Sequence, residues 1–201
     1  MESYASVAAA IAQYLAALPH PTGDIGDAAA RLLCAVHGAV PRPGFRADGA
    51  HDHGALLADA LAIAPANAIV QALGALAVPL PWHYHYPRRD DAPDLAARIG
   101  FAELIGPRGP LIADGSRVGF TLMAPHTFYP LHRHPAVELY VVMAGTAAWI
   151  APPVEQVVPP GGMVLHPMNQ PHAMRTAAEP LLALYAWHGE IDTPATYLDD
   201  R

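Results

Sequence analysis

The chain contains no lysine: all 11 of its basic residues are arginine. Schiff-base and pyridoxal chemistry, which need a lysine amine, are thereby excluded. Cysteine is nearly absent too. The single Cys34 cannot form an internal disulfide, and its place in an apolar helical pattern predicts a buried, inert thiol. No Gly-x-Gly-x-x-Gly run and no phosphate-binding loop occurs, so the usual nucleotide cradles are missing. No apolar stretch runs uninterrupted to membrane-spanning length, and the first residues lack the basic segment of a signal peptide. A soluble, cytoplasmic protein is therefore expected. Positive charge is scarce, and a net charge of −7 argues against nucleic acid as the main partner.

What is present is apolar and rich in turns. Hydrophobic residues make up 53% of 201 residues, ample for the core of one domain with an appended subdomain. Over residues 1–80 the pattern is helical. Tyr4, Val7, Ala8, Ile11, Tyr14, Leu15 and Leu18 keep the three-four spacing of one helix face. Asp24 is placed to cap a second helix that ends at Gly38, with Leu32, Leu33 and Val36 on its apolar side. Leu56, Leu57, Leu61 and Ile63 mark a third helix, and Asn67 to Ala77 a fourth, stopped by Pro79. The Pro/Gly-rich segment 39–52 reads as loop. From about residue 98 the period shortens. Val118, Phe120 and Leu122 alternate with Gly119 and Thr121. Short apolar runs follow at Val137–Met143, Ala147–Ile150, Met163–Leu165, His172–Thr176 and Leu181–Trp187. Short strands separated by turn signals predict a sandwich or barrel. The division is an α-helical N-terminal subdomain and linker over 1–97 and a β-barrel over 98–201, an α+β chain.

Chemistry concentrates in Tyr129-Pro-Leu-His-Arg-His-Pro-Ala-Val-Glu-Leu-Tyr140. His132, His134, Glu138 and Tyr140 have one parity, and on a strand residues of one parity share a face. Two imidazoles, a carboxylate and a phenol can then point into one cavity, and His172, after a Pro/Gly-rich turn, can close the set. Imidazole with carboxylate suits zinc, iron, manganese, nickel or copper better than magnesium or calcium. A catalytic metal also needs open positions, and four ligands in an octahedral shell leave two.

The spacings resemble the two motifs of the cupin family. In the first, His132, His134, Glu138 and Gly145 stand where that family has its His-x-His, Glu and closing Gly; His126 replaces the leading Gly. In the second, Gly161, Pro167 and His172 match, while Asn169 stands at an inner Gly and Thr176 at the final Asn. Asn tolerates left-handed backbone, so the turn can survive. Within the cupins, Met123-Ala-Pro, the 129–145 run, Trp149 and Pro167-Met-Asn-Gln-Pro-His-Ala-Met resemble the cupin-type dimethylsulfoniopropionate lyases, densely over residues 118–190 and loosely before. The resemblance implies a double-stranded β-helix (jelly-roll) barrel preceded by helices. It implies a divalent transition metal on His132, His134, Glu138 and His172, and two tyrosines beside the metal set, matched by Tyr129 and Tyr140. The implied activity is that of a carbon–sulfur lyase, β-elimination of dimethylsulfoniopropionate to acrylate and dimethyl sulfide.

The remaining residues are assigned on this frame. A phenol near a metal is acidified and can serve as base, the role expected of Tyr140. Tyr129 is a second acid/base group or a substrate anchor, and the choice of base between the two stays open. Tyr185 and Trp187 share a face of the last strand; with Tyr129 they can hold a sulfonium by cation–π attraction or simply fill the barrel. Trp149 is expected in the core, and His126 and His166 beside the site or at the surface. The linker Pro-Trp82-His-Tyr84-His-Tyr86 is expected to cover the barrel mouth together with the helices; its His83-x-His85 lacks the carboxylate of a second metal pair. The partner is a small zwitterionic sulfonium carboxylate, with no nucleic acid or membrane, and a homodimer is compatible with the sequence. Two further classes share the ligand set: another metallo-cupin enzyme, a dioxygenase or isomerase acting on a small carboxylate, and a non-catalytic ligand-binding cupin.

Overall fold

A computed structural model describes residues 2–19, 21–47 and 51–198. Three of the predicted helices form where the periodicity places them, α1 Glu2–Ala17, α2 Gly23–Gly38 and α3 Gly54–Ile63; the fourth, α4 Ala68–Gly74, ends short of the expected Ala77, at Gly74, and a short α5 Leu95–Arg98 comes later. The Asn67 side chain accepts the Val70 N–H at 3.0 Å and so caps α4. The start of α2 differs from expectation. Thr22 holds the capping position, and Asp24 lies in the first turn, where its charge suits the helix dipole. Cys34 also differs: it is exposed. The buried stripe of α2 is Ala28, Leu32, Ala35 and Val36, and 100° per residue turns position 34 away from it.

The strands are β1 Val40–Pro41, β2 Trp82–His83, β3 Ile99–Ile105, β4 Leu111–Ile112, β5 Ser116–Met123, β6 Phe128–Arg133, β7 Ala136–Ala144, β8 Ala147–Ala151, β9 Val154–Val158, β10 Met163–His166, β11 His172–Thr176, β12 Leu181–Gly189 and β13 Thr196–Tyr197. β1 lies within the segment read as loop. Among the described residues they make an eight-stranded sheet, ordered β1-β4-β3-β5-β12-β7-β10 with β2 on β3, and a five-stranded sheet, β13-β6-β11-β8-β9. Nearly all pairs are antiparallel; β3 with β4 is parallel.

The eight-stranded sheet separates two cores. On β7, Leu139, Val141 and Met143 join the helices, whereas Tyr140 and Val142 face the barrel interior. On β12, Leu182, Leu184 and Ala186 take the helix side, and Leu181, Ala183 and Tyr185 the inner side. These strands read as unbroken apolar runs because both faces are covered. The helices therefore back the sheet. Among the described residues none before His85 lines the cavity described below, so the helices take no part in its lining, and of the linker His85 and Tyr86 reach it. The physical reason is that the helices are apolar on one side and bury that side against the outer sheet face, leaving nothing to reach round the barrel.

The turn residues carry the motif geometry. Gly145 has φ 72°, and a Cβ there would stand 1.9 Å from the Pro180 carbonyl oxygen. Gly145→Ala is expected to lower stability by about 1–3 kcal/mol from left-handed strain alone, and by more through the clash. Thermal unfolding reads this; an unchanged midpoint would contradict it. His126 and Asn169, which depart from the cupin glycines, adopt φ 53° and 59°. Both residue types are enriched in left-handed backbone among non-glycine residues.

Candidate metal centre

The cluster assembles differently from the one-strand expectation. Pro135 divides the run, so His132 lies near the end of β6 of the smaller sheet while Glu138 and Tyr140 lie on β7 of the larger one. His134 sits in the corner between them. His172 on β11 is the register partner of His132. Barrel closure, not the parity of a single strand, brings the groups together.

His132, His134 and His172 are buried, and each offers a ring nitrogen within 4.8 Å of the others. Each Nδ1 faces a main-chain carbonyl: His132 with Pro130 at 2.9 Å, His134 with Ala136 at 3.0 Å and His172 with Gln170 at 2.8 Å. A carbonyl only accepts, so each Nδ1 carries the proton and each Nε2 presents a lone pair. Glu138 Oε2 stands 2.9 Å from His134 Nε2 and 3.3 Å from His172 Nε2. His172 Nε2 has no hydrogen-bond partner. Lone pairs of three imidazoles and a carboxylate converge without a shared proton donor, an arrangement that a cation satisfies. The residues present thus fit a metal ion.

Electrostatics agree. Burial would raise the Glu138 carboxyl, but His134 and His172, when they carry a second proton in the absence of metal, outweigh it and hold it well below the usual carboxylate range. Trp187 Nε1–H donates to Glu138 Oε1 at 2.7 Å, and the Trp187 ring stacks on His134 at 4.1 Å. Burial, with His172 close by, pushes His132 well below the ordinary imidazole value. Burial and His172 push His166 down to about 3. In the unfolded chain both imidazoles take up protons near pH 6.5; in the folded protein His166 resists until about pH 3. The unfolded state then binds more protons across that window, so stability falls as pH is lowered through it. Metal-free protein is expected to melt at progressively lower temperature from pH 7 to pH 4. A flat or rising midpoint would contradict this reading.

A cavity of about 110 Å³ opens on the cluster, lined by His132, Glu138 and by all four predicted aromatic groups, Tyr129, Tyr140, Tyr185 and Trp187. Tyr185 and Trp187 on β12 pair in register with Tyr140 and Glu138 on β7. Tyr129 stacks on His132 at 4.0 Å. Burial, then the Glu138 carboxylate, holds the Tyr140 phenol well above its ordinary value; burial and neighbouring phenols do the same for Tyr129. Trp149 is core, packed on Tyr140 at 4.7 Å.

Phe101 joins the wall without a sequence signal, whereas Tyr86 comes from the linker expected over the mouth. Phe101 on β3, Tyr86 and Tyr129 form a trio of rings 5.6–6.2 Å apart, and the Tyr86 hydroxyl is bonded to that of Tyr129. Tyr86 also stacks on Tyr197 at 4.2 Å, and Tyr84 is hydrogen-bonded to Tyr197 at 2.6 Å. Tyr197 is held there by pairing with His132 across β13 and β6. Trp82, grouped with Tyr84 and Tyr86 by its alternation, belongs instead to the helix-side core. His83 and His85 stack on each other at 5.4 Å. Glu103, Arg108, Arg117 and Asp192 edge the cavity with both signs of charge. No helix among the described residues is long and apolar enough to cross a membrane.

A two-sheet jelly-roll barrel, with His132 and His172 on the smaller sheet, His134 in the corner and Glu138 on the larger sheet, defines a cupin with a candidate metal site in its interior. The dimethylsulfoniopropionate lyase family matches over residues 52–183, and the chain belongs to that family. It is 35% identical over 115 residues to the dimethylsulfoniopropionate lyase DddQ of Ruegeria pomeroyi, covering 56% of each chain. It is 37% identical over 121 residues to the putative dimethylsulfoniopropionate lyase DddL of Cereibacter sphaeroides, covering 59% of this chain and 50% of that one. The matched segment thus spans about half the length of these two relatives. The crystal structure of the Ruegeria pomeroyi enzyme superposes with a TM-score of 0.78 at 25% identity, covering 98% of this chain and 96% of that one.

Proposed function

We propose that the chain is a metal-dependent lyase that cleaves dimethylsulfoniopropionate to acrylate and dimethyl sulfide by β-elimination. The observation that carries the reading is the juxtaposition, in one aromatic-walled cavity, of Tyr140 with the histidine–carboxylate cluster. Family membership gives the reaction class. A divalent transition metal such as zinc, iron or manganese, held by His132, His134, His172 and Glu138, would act as a Lewis acid toward a substrate carboxylate.

The chain's own groups do the rest. Tyr129, Tyr185 and Trp187 offer ring faces to the sulfonium, each worth about 0.5–2 kcal/mol. Burial and Glu138 keep the Tyr140 phenol protonated at rest, so it releases its proton to solvent and becomes a base only when positive charge offsets that carboxylate. The Tyr140 phenolate then takes the α-proton. The electrons of that C–H bond form the new C=C bond, and the β-carbon–sulfur pair leaves with sulfur as neutral dimethyl sulfide. Tyr129, bonded through its hydroxyl to Tyr86, is an anchor or a second proton carrier.

The test is headspace detection of dimethyl sulfide from purified, metal-analysed protein, with and without oxygen. Release independent of oxygen supports the lyase. No release by metal-loaded protein sinks it, and an oxygen requirement would transfer the reading to a metallo-cupin oxygenase.

A further inference from the structure

His166 is outside the ligand set yet forms one wall of it. It is 1% exposed and lies on β10, where its register partner on β7 is Glu138. Its ring lies flat on that of His172, with centroids 3.9 Å apart and planes 11° apart. On the other side of His172 the His132 ring approaches at 4.1 Å and 61°. The His172 imidazole is thus held between one parallel face and one crossing ring.

Gln170 ties the two parallel rings together. Its main-chain carbonyl accepts from His172 Nδ1 at 2.8 Å, and its side-chain oxygen lies 3.3 Å from His166 Nδ1. With both Nδ1 atoms turned toward Gln170 and the planes nearly parallel, both Nε2 atoms lie on the opposite edge. His166 Nε2 is buried there without a partner, as is His172 Nε2. Leaving a buried polar atom unpaired costs about 1–3 kcal/mol, so stability alone does not account for an imidazole at this position.

The His172 plane needs such support. The outer torsion of a histidine side chain is broad and roughly two-fold, so its rotamer does not fix the ring. One hydrogen bond at Nδ1 fixes a point, and the ring can still pivot about it. A flat neighbour at stacking distance removes the pivot, and imidazole is a flat ring that can also bond to Gln170.

We propose that His166, bracketed by Gln170, is a positioning residue that sets the plane of His172 and so aims its Nε2 at the metal position. The proposal rests on the metal-centre part of the functional reading, not on the substrate.

Zinc affinity, measured by competition with a chromophoric chelator, and the visible spectrum of the cobalt-substituted protein test it without an activity assay. Loss of an outer partner of a metal ligand typically costs 10–100-fold in affinity. His166→Leu, which removes the flat face, is expected to weaken zinc binding by at least about tenfold and to shift the cobalt bands. His166→Phe keeps the face and is expected to stay close to the unmutated protein in both. Gln170→Ala keeps the main-chain carbonyl on His172 but frees His166; this half-buried turn position tolerates the change if His166→Leu does not fold. It is expected to weaken zinc binding several-fold. Unchanged affinity and spectrum in His166→Leu, or in Gln170→Ala if only that variant folds, would overturn the proposal. Equal weakening in the Phe and Leu variants would overturn it too, because the flat face would then not be what matters. Protein that binds zinc as expected but releases no dimethyl sulfide would sink the lyase reading and leave this one standing.

Discussion

Replacing His172 by alanine is expected to remove bound metal and dimethyl sulfide release together, to background. His172 lies at the centre of the cluster: its ring meets His132 at 4.1 Å, His134 at 5.1 Å and His166 at 3.9 Å. Its Nε2 makes no hydrogen bond and lies 3.3 Å from Glu138 Oε2. Its ring is buried against His166 and its Nδ1 is bonded to the Gln170 carbonyl, so truncation costs packing as well as the metal. The variant should therefore melt below the unmutated metal-free protein and also lose the stabilisation that metal adds to the loaded one. His134→Ala is expected to do the same; it removes the imidazole nearer to Glu138, at 2.9 Å against 3.3 Å for His172. Metal analysis of both variants after gel filtration checks the assignment, and full occupancy in both would show that these are not ligands.

Tyr140→Phe is expected to lower the rate of dimethyl sulfide release by at least about a hundredfold, within the 10²–10⁴ range typical of a lost general base. Metal content should stay near normal, because the substitution removes one hydroxyl and leaves the ring packed against Trp149. The contrast with Tyr129→Phe is informative. Tyr129 shares its hydroxyl with Tyr86 and lays its ring on His132. If it anchors substrate, its phenylalanine variant changes KM more than kcat; if it is the base, the hundredfold loss moves to it. Near-unmutated release by Tyr140→Phe would refute the base assignment, whichever way Tyr129 turns out.

Much of this was legible in the chain itself, and the limits have physical causes. Helix positions, though not every end, followed from three-four spacing, since a helix is a local object and its apolar stripe is written in consecutive turns. The convergence of His132, His134 and His172 followed from motif spacing, which encodes a corner and a register. Asn169 took the left-handed backbone its motif position demands, and so did His126, where the departure from Gly was noted without an account. Cys34 was misplaced because an apolar helix does not announce which of its sides is stripe and which is rim.

The parity argument brought together the right residues for an incomplete reason: local alternation cannot show that Pro135 turns the chain from one sheet to the other. Nor could it show where the helices dock, because both faces of β7 and β12 are apolar and either could have been the inner one. Tyr86, Phe101, His166 and Tyr197 reach the site from β3, β10, β13 and the linker, far apart in sequence. The sequence by itself determined the element types and the ligand chemistry, which depend on neighbours along the chain. Only the tertiary structure decided that Phe101 joins the predicted rings in the wall and which ring stacks on His172, because those contacts exist only once the two sheets close on each other.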